Sequence, residues 1–471
     1  MAANPLPDGR IPVLLSAHAE ELIGQDARAI RSYLQRRPEL STPADVARVS
    51  ATVARTRRVR KHRAVIRAAD ITELSDALRA VGAGEDHPLV TRSAPVAPPR
   101  VAFVFPGQGS QWPSMGVEAY HRLVVYRDEA DRCATVFNEA GFASPLAYLL
   151  ADPAAQTNDF SQVQIQGAHF VHGVALARVW QSCGVTADIT VGHSLGEIGA
   201  ACVAGAITLS AAVGVVFARA TLLDGLTGPY RVAVLGTDAE HAQAAIAETP
   251  GWLELSVVNS KSSVAVSGDS EAIASVVRRI GDGGGFAKEI EMWFPAHTTK
   301  LDPVRAELES MLPAGQFESS SVQFIGSATA QSVAAGTDFA DYWYTNLRST
   351  VRFDQAVGAA YASGARVFVE LSAHPALLYA MADVLEGTSE PALVVGSGHR
   401  EEPIVDRLTA NLTAVALTDS AYPWAELAGD APQLLRDFPF APMRAQHHWA
   451  APEPLPPVPA LSVLTERWAE R

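Results

Sequence analysis

Apolar and polar positions follow two periods along this chain. Residues 12–16, 62–68, 100–105, 187–191, 322–325 and 366–371 are short apolar runs or alternations, the length and spacing of β-strands. Residues 18–36, 42–53, 71–81 and 161–183 repeat apolar positions at helical spacing, and 161–183 is the longest such segment. Residues 93–99, Ser-Ala-Pro-Val-Ala-Pro-Pro, interrupt both patterns and read as a linker.

The order of these elements predicts an α/β protein. Strands alternate with helices after residue 100, which argues for a mostly parallel sheet with helices on both faces. Residues 231–235, 238–248, 253–259, 263–267, 271–280 and 287–292 read strand, helix, strand, strand, helix, strand. That is a ferredoxin-like subdomain inserted over residues 230–293. Residues 11–90 form a smaller α/β unit of their own, and no internal repeat is evident.

Composition narrows the picture. With 471 residues, 48% of them hydrophobic, the chain has material for two to four domains and a real core. A formal net charge of −14 argues against general binding to nucleic acid or anionic membranes. The three cysteines, Cys133, Cys183 and Cys202, form no C-x-x-C pair, so a reducing, cytoplasmic setting is expected rather than a disulfide framework. The first nine residues lack the charged and apolar regions of a signal peptide. No apolar run reaches the roughly 18 residues of a membrane span. The first nine residues and the proline-rich stretch 450–459 are not expected to be ordered.

Candidate chemistry concentrates at Thr190-Val191-Gly192-His193-Ser194-Leu195-Gly196-Glu197. An apolar strand runs into a glycine-flanked serine and then into an apolar small-residue run, the setting of a nucleophile elbow. Ser194 is thereby expected at a helix N-terminus, where free N–H groups can hold a developing negative charge. The bland alternative is a helix-capping serine. A serine nucleophile needs a base. Of His169, His172, His193, His297, His374 and His399, the last four are not in a helical run, and His297 and His374 stand in shaped loops beside Pro295 and Pro375. The pattern does not choose between those two. Arg219 lies in an otherwise apolar helix. It reads either as a surface arginine snorkelling past an apolar stripe or as a guanidinium gripping a substrate carboxylate. Gly107-Gln108-Gly109, after the 100–105 strand, reads as a plain turn or as a donor of a backbone N–H to an oxyanion. The run Arg55-Thr56-Arg57-Arg58-Val59-Arg60-Lys61-His62-Arg63 reads as a solvated face or as a steering patch for an acidic partner.

Several segments together resemble the acyltransferase domain of type I polyketide synthases. They are Phe105-Pro106-Gly107-Gln108-Gly109-Ser110-Gln111-Trp112, Gly192 to Glu197, Arg219, Val264-Ala265-Val266-Ser267-Gly268, Ala296-His297, Asp341-Tyr342-Trp343-Tyr344-Thr345-Asn346-Leu347, and Val369-Glu370-Leu371-Ser372-Ala373-His374-Pro375. The tail Ala441-Pro442-Met443-Arg444-Ala445 is similar to mycobacterial lipid-making synthases of the mycocerosic acid and phthiocerol families. The resemblance implies a ketosynthase-to-acyltransferase linker domain at 1–99, an acyltransferase domain at 100–425 and a post-acyltransferase segment at 426–471 that wraps back over the linker. Within the acyltransferase domain it implies an α/β-hydrolase-like large subdomain of 100–229 and 294–425 around the 230–293 insert. No ketosynthase or carrier segment is recognisable, so the chain resembles a piece of a larger synthase.

The resemblance further implies Ser194 as nucleophile, His297 as base, the amides of Gln108 and Leu195 as oxyanion hole, and Arg219 as carboxylate holder. A backbone carbonyl, not an aspartate, orients the histidine in this family. The implied donor is a coenzyme A thioester, the acceptor is the phosphopantetheine arm of an acyl carrier protein, and no cofactor is bound permanently. The implied partners are that carrier and the ketosynthase of the same synthase, in polyketide or complex lipid biosynthesis. Malonyl-loading members usually read His-Ala-Phe-His where methylmalonyl-loading members read Tyr-Ala-Ser-His. This chain has Phe294-Pro295-Ala296-His297, matching neither. Leu195 is seen more often with malonyl, whereas Ala296 leaves room for a methyl group, and the reading leans to methylmalonyl. Two rival readings use the same residues: a serine thioesterase of α/β-hydrolase type, which needs an acid between the serine and a late histidine, and a catalytically idle docking scaffold.

Overall fold

The computed structural model describes residues 6–93, 99–226, 228–290, 292, 294–427 and 433–444. The expectations for the first five residues, the core of the 93–99 linker, and the tail from Ala445 onward lie outside the described residues.

Strand β1 (Ile11–Ala17), β2 (His62–Ala68) and β3 (Val90–Ser93) form a three-stranded antiparallel sheet in that order. Helices Glu20–Gln35 and Ile71–Ala83 pack against each other beside it, and Pro43–Thr56 packs along β1. The chain next supplies β4 (Arg100–Phe105) and β5 (Ile189–Gly192) to a central sheet. It leaves that sheet for β6 (Tyr230–Leu235), β7 (Leu253–Ser260), β8 (Ser263–Asp269) and β9 (Ala287–Ile290). It returns through β10 (Gln323–Gly326), β11 (Gln331–Ser332), β12 (Val351–Arg352), β13 (Ala365–Glu370) and β14 (Leu393–Gly396).

The central sheet has the order β11-β10-β5-β4-β13-β14. Every neighbouring pair is parallel except the edge pair β10 and β11. The second sheet has the order β12-β7-β8-β6-β9. Without β12 this is the ferredoxin-like arrangement, antiparallel throughout. The hydrophobic pattern misses β12, which comes from sequence well outside the insert and pairs parallel with β7. It also misses the two-residue β11 and the four-residue β3 and β14.

The helix Gln162–Ser182 is apolar around most of its surface. Fifteen of its 21 residues are buried, on all sides, so it is core rather than surface. Gly173 and Gly199 let their helices approach the Phe105 ring, against which an added β-carbon would press.

Residues 433–444 pack on the N-terminal unit. Leu435 joins its core, and Phe438 meets Tyr33 edge-on at 5.2 Å. The Tyr33 hydroxyl donates to the Arg436 carbonyl (2.8 Å), and Arg57 donates to the Pro439 carbonyl (3.0 Å). Part of the basic run is therefore consumed internally. Arg57 pairs with buried Asp26, and Arg63, itself buried, donates to the Asp419 carbonyl (2.9 Å). Among the described residues no helix is long and apolar enough to cross a membrane.

Candidate active site

Strand β5 ends at Gly192 and the helix Gly196–Ala204 begins four residues later. The turn between them is too tight for side chains at either glycine. A β-carbon on Gly192 would overlap Glu197, and one on Gly196 would overlap the carbonyl of Phe105 at the end of β4. Ser194 itself adopts φ 53°, a left-handed conformation that non-glycine residues hold only under constraint. Its carbonyl is held by Asn346 Nδ2 (3.0 Å) and its N–H by the Ser327 hydroxyl (3.3 Å).

His297 is the histidine brought to the serine. Its Nε2 lies 2.7 Å from Ser194 Oγ, and it too has a left-handed backbone, with φ 64°. Its Nδ1 lies 3.0 Å from the Ser349 carbonyl, which fixes the proton on Nδ1 and leaves Nε2 as the acceptor. Burial, with Arg219 and His193 nearby, lowers the imidazole pKa from 6.5 to about 3. The ring is thus neutral at physiological pH, with Nε2 unprotonated and free to accept. The carboxylate that a hydrolase-type triad places behind its histidine is replaced here by a peptide carbonyl.

Arg219 is buried, not a surface arginine. Its Nη2 donates to Ser194 Oγ (3.0 Å) and its Nη1 to Asn346 Oδ1 (2.9 Å), while Nε has no partner. Burial lowers its pKa to about 10, with Glu197 opposing at longer range, so it stays charged. Among the described residues no carboxylate pairs with it. A charged, buried guanidinium with only neutral acceptors and N–H groups to spare is poised to take an anion.

Glu197, the second residue of the elbow helix, supports the turn from behind. It is wholly buried and accepts from Ser327 Oγ (2.7 Å), the Ala328 N–H (2.9 Å) and the Tyr342 hydroxyl (2.5 Å). Burial raises its pKa against those hydrogen bonds. Sequence reasoning assigned no role to Glu197, Ser327 or Asn346. A lone carboxylate at the head of an otherwise apolar run was the available signal for Glu197, and the Asp341–Leu347 motif carried Asn346.

The other candidates are placed as follows. Gln108 and Gly107 line the cleft beside Ser194. Among the described residues neither the Gln108 nor the Leu195 amide N–H donates to a protein acceptor. The Leu195 side chain is buried in the main core and does not line the cleft. Phe294 and Ala296 line the cleft and pack with Ala218 and Leu222 of the Arg219 helix. His193 also reaches the cleft, with Nε2 3.0 Å from Asn259 Oδ1 on β7. His169 meets the Pro106 carbonyl (2.7 Å) and His172 the Tyr126 hydroxyl (2.6 Å), and neither touches the serine. His374 and His399 pair with each other instead.

The cleft has a volume of about 280 Å³ and lies between the central sheet's elbow and the inner face of the second sheet, where Val232, Ser256 and Ala265 meet it. A larger groove, about 620 Å³, lies on the N-terminal unit, and no candidate catalytic residue lines it. Among the described residues no cluster of side chains could hold a metal ion.

Several known proteins resemble this chain. Residues 102–421 match the family model described as acyl transferase domain. The spectinabilin polyketide synthase system protein NorA' of Streptomyces orinoci is 34% identical over 459 residues, 96% of this chain and 12% of that protein. Mycoketide-CoA synthase of Mycobacterium tuberculosis is 33% identical over 416 residues, 86% of this chain and 10% of that protein. The chain thus spans only about a tenth of the length of these relatives. Among solved structures, the acyltransferase domain from module 8 of the salinomycin polyketide synthase matches with TM-score 0.80 and 31% identity, covering 88% of this chain and 97% of that one. The acyltransferase domain of the polyketide synthase PpsC of Mycobacterium tuberculosis matches with TM-score 0.59 and 28% identity, covering 64% of this chain and 92% of that one. The chain belongs to the acyl transferase family, in the branch found in type I polyketide synthases.

Proposed function

We propose that this acyl transferase moves an α-carboxyacyl extender unit from coenzyme A to the phosphopantetheine thiol of an acyl carrier protein, through an ester on Ser194. The observation that carries the reading is one hydroxyl within hydrogen-bond reach of both a neutral imidazole (2.7 Å) and an unpaired guanidinium (3.0 Å).

The chemistry follows from those contacts. His297 Nε2 takes the Ser194 proton as Oγ bonds to the thioester carbonyl carbon. The tetrahedral oxyanion is held by the amides of Gln108 and Leu195. As the C–S bond breaks, the imidazolium returns its proton to the departing sulfur. The carrier thiol then attacks the ester with the same groups in reverse order, which makes the kinetics ping-pong. Arg219 holds the distal carboxylate and so sets the carbonyl beside Oγ.

The same reading favours methylmalonyl, with malonyl as the close competitor. Ala296 presents a single methyl group to a cleft that Phe294 and Met292 also line, leaving space at the α-carbon. The carrier and a ketosynthase of the same synthase are the proposed partners, in polyketide or complex lipid biosynthesis, with action in the cytoplasm.

Intact mass spectrometry tests the whole assignment. Incubation with methylmalonyl-, malonyl- and acetyl-coenzyme A in turn is expected to add the first two acyl masses strongly and the third weakly. Ser194→Ala is expected to acquire none. Persistent labelling of Ser194→Ala, or rapid release of free acid with no stable ester, would overturn it.

A further inference from the structure

Two histidines that do not reach Ser194 stand on the same edge of the sheet. His374 follows β13 and His399 follows β14, outside the C-terminal ends of parallel strands, as Ser194 does after β5. This is the edge where open α/β sheets bind ligands. The two rings meet edge-on at 4.9 Å. Beside them, Arg400 lies with Cζ 4.9 Å from the Trp112 ring, in the loop that follows β4.

The donors of this cluster are free. The Arg400 N–H donates to His374 Nδ1 (3.2 Å) and the Glu401 N–H to His399 Nδ1 (3.4 Å). Each neutral ring therefore carries its proton on Nε2. Arg400, exposed and stacked on the indole, has no carboxylate partner among the described residues. Of the acids nearby, Glu401 acts electrostatically on His374, and Glu402 lies 4.0 Å from His399 but is itself engaged by Arg407 at 3.6 Å.

We propose that Arg400, His374 and His399 bind the phosphate of the pantetheine-bearing thioester while its sulfur end reaches Ser194. The inference rests on the acyl-transfer reading above. The spacing supports it. Strand β14 is three steps from β5 in the sheet order, about 14 Å at the usual strand separation of about 4.8 Å. A pantetheine arm places about a dozen bonds between sulfur and phosphorus, as long as about four extended residues, or ~14 Å. The cleft points the same way, because Gly109 of the Trp112 loop and Leu377, just beyond His374, line it. A guanidinium fork and two imidazole N–H groups suit a phosphate oxyanion. Coenzyme A and a carrier-bound arm both present a phosphate at that end.

The test compares donors and acceptors with and without the phosphate in Arg400→Glu, Arg400→Ala and His399→Ala. In one arm, kcat/KM for acylation of Ser194 is measured with malonyl-coenzyme A and with malonyl-N-acetylcysteamine, which has the thiol end alone. In the other, the acyl-enzyme is discharged by a phosphopantetheinylated carrier protein or by free pantetheine. The ratio of phosphate-bearing to phosphate-free reactivity is expected to fall about tenfold or more, as loss of charged hydrogen bonds implies. A fall in the first arm identifies coenzyme A as the source, and a fall in the second identifies the carrier. Unchanged ratios in both arms would overturn the site. A parent protein that accepts acyl groups from neither donor would instead overturn the acyl-transfer reading.

Discussion

Arg219 Nη2 donates to Ser194 Oγ at 3.0 Å, so a buried cation of the cleft and its nucleophile face each other directly. Holding an isolated guanidinium this deep costs several kcal/mol unless an anion arrives. A substrate carboxylate is the simplest anion to bring. Arg219→Ala is therefore expected to reduce the preference for malonyl over acetyl groups by about 1.5–3 kcal/mol, roughly 10- to 150-fold. The measurement is the ratio of acylation rates on Ser194 for the two donors, and an unaltered ratio would remove Arg219 from carboxylate recognition.

The partner of Arg219 matters as much as the arginine. Asn346 Oδ1 accepts from Nη1 at 2.9 Å, and being an amide it fixes the guanidinium without neutralising it. Asn346→Asp is expected to form an internal ion pair and to weaken carboxyacyl loading tenfold or more while acetyl loading falls less. Because Asn346 also holds the Ser194 carbonyl, Asn346→Ala serves as the control for lost positioning, which should slow both donors alike. Equal losses for both donors in Asn346→Asp would show that its neutrality is irrelevant.

Acylation should tolerate mild acid. His297, lowered to about 3 by burial, remains an unprotonated base far below the ordinary histidine value of 6.5. The acid limb of kcat/KM for Ser194 acylation is expected well below pH 6. A limb centred near 6.5 would mean that the ring is solvated during the reaction.

Stability should respond to acid with the opposite tolerance. His172 and His297 are lowered to about 3 and His193 to about 4, each first by burial. Below their unfolded value of 6.5, the unfolded chain takes up protons that these three rings refuse in the fold, so their contribution to stability is complete above about pH 6.5 and falls as pH drops toward 3, offset in part by buried Glu197 and Glu370, whose raised pKa values act with the opposite sign. By pH 4 the loss should be on the order of a few kcal/mol. Urea unfolding across this range checks the slope, and His172→Gln should flatten it. A slope left unchanged by His172→Gln would contradict a buried, neutral ring at that position.

The α-substituent is expected to be read at Ala296, which is buried and lines the cleft. Ala296→Phe should shift competition between methylmalonyl and malonyl donors toward malonyl by about 1–3 kcal/mol. The ratio of the two acyl masses on Ser194 measures it. An unchanged ratio would place the α-substituent elsewhere in the cleft.

Local patterns announced most of the architecture. Hydrophobic period separates strand from helix within a few residues, so the inserted strand-helix-strand-strand-helix-strand unit and the strand into Ser194 were legible directly. The two glycines flanking Ser194 were legible too, because a missing β-carbon is a local steric requirement. The two-residue strands β11 and β12 were not, since their existence depends on a neighbouring strand to pair with.

The site divides along the same line. A residue's type and its local turn are written in the chain, and they sufficed to nominate Ser194 and to leave Arg219 and the histidines as candidates. Which of them meet depended on long-range closure. His297 lies 103 residues beyond Ser194, and the Ser349 carbonyl that orients it comes 52 residues later still. Only the packed structure buries Arg219 against an amide instead of an acid and turns Arg57 and Arg63 inward. It also sends His374 and His399 to each other. Periodicity is a property of neighbours in sequence, whereas burial, charge pairing and hydrogen-bond partners are properties of neighbours in space, and the chemistry of this cleft belongs to the second kind.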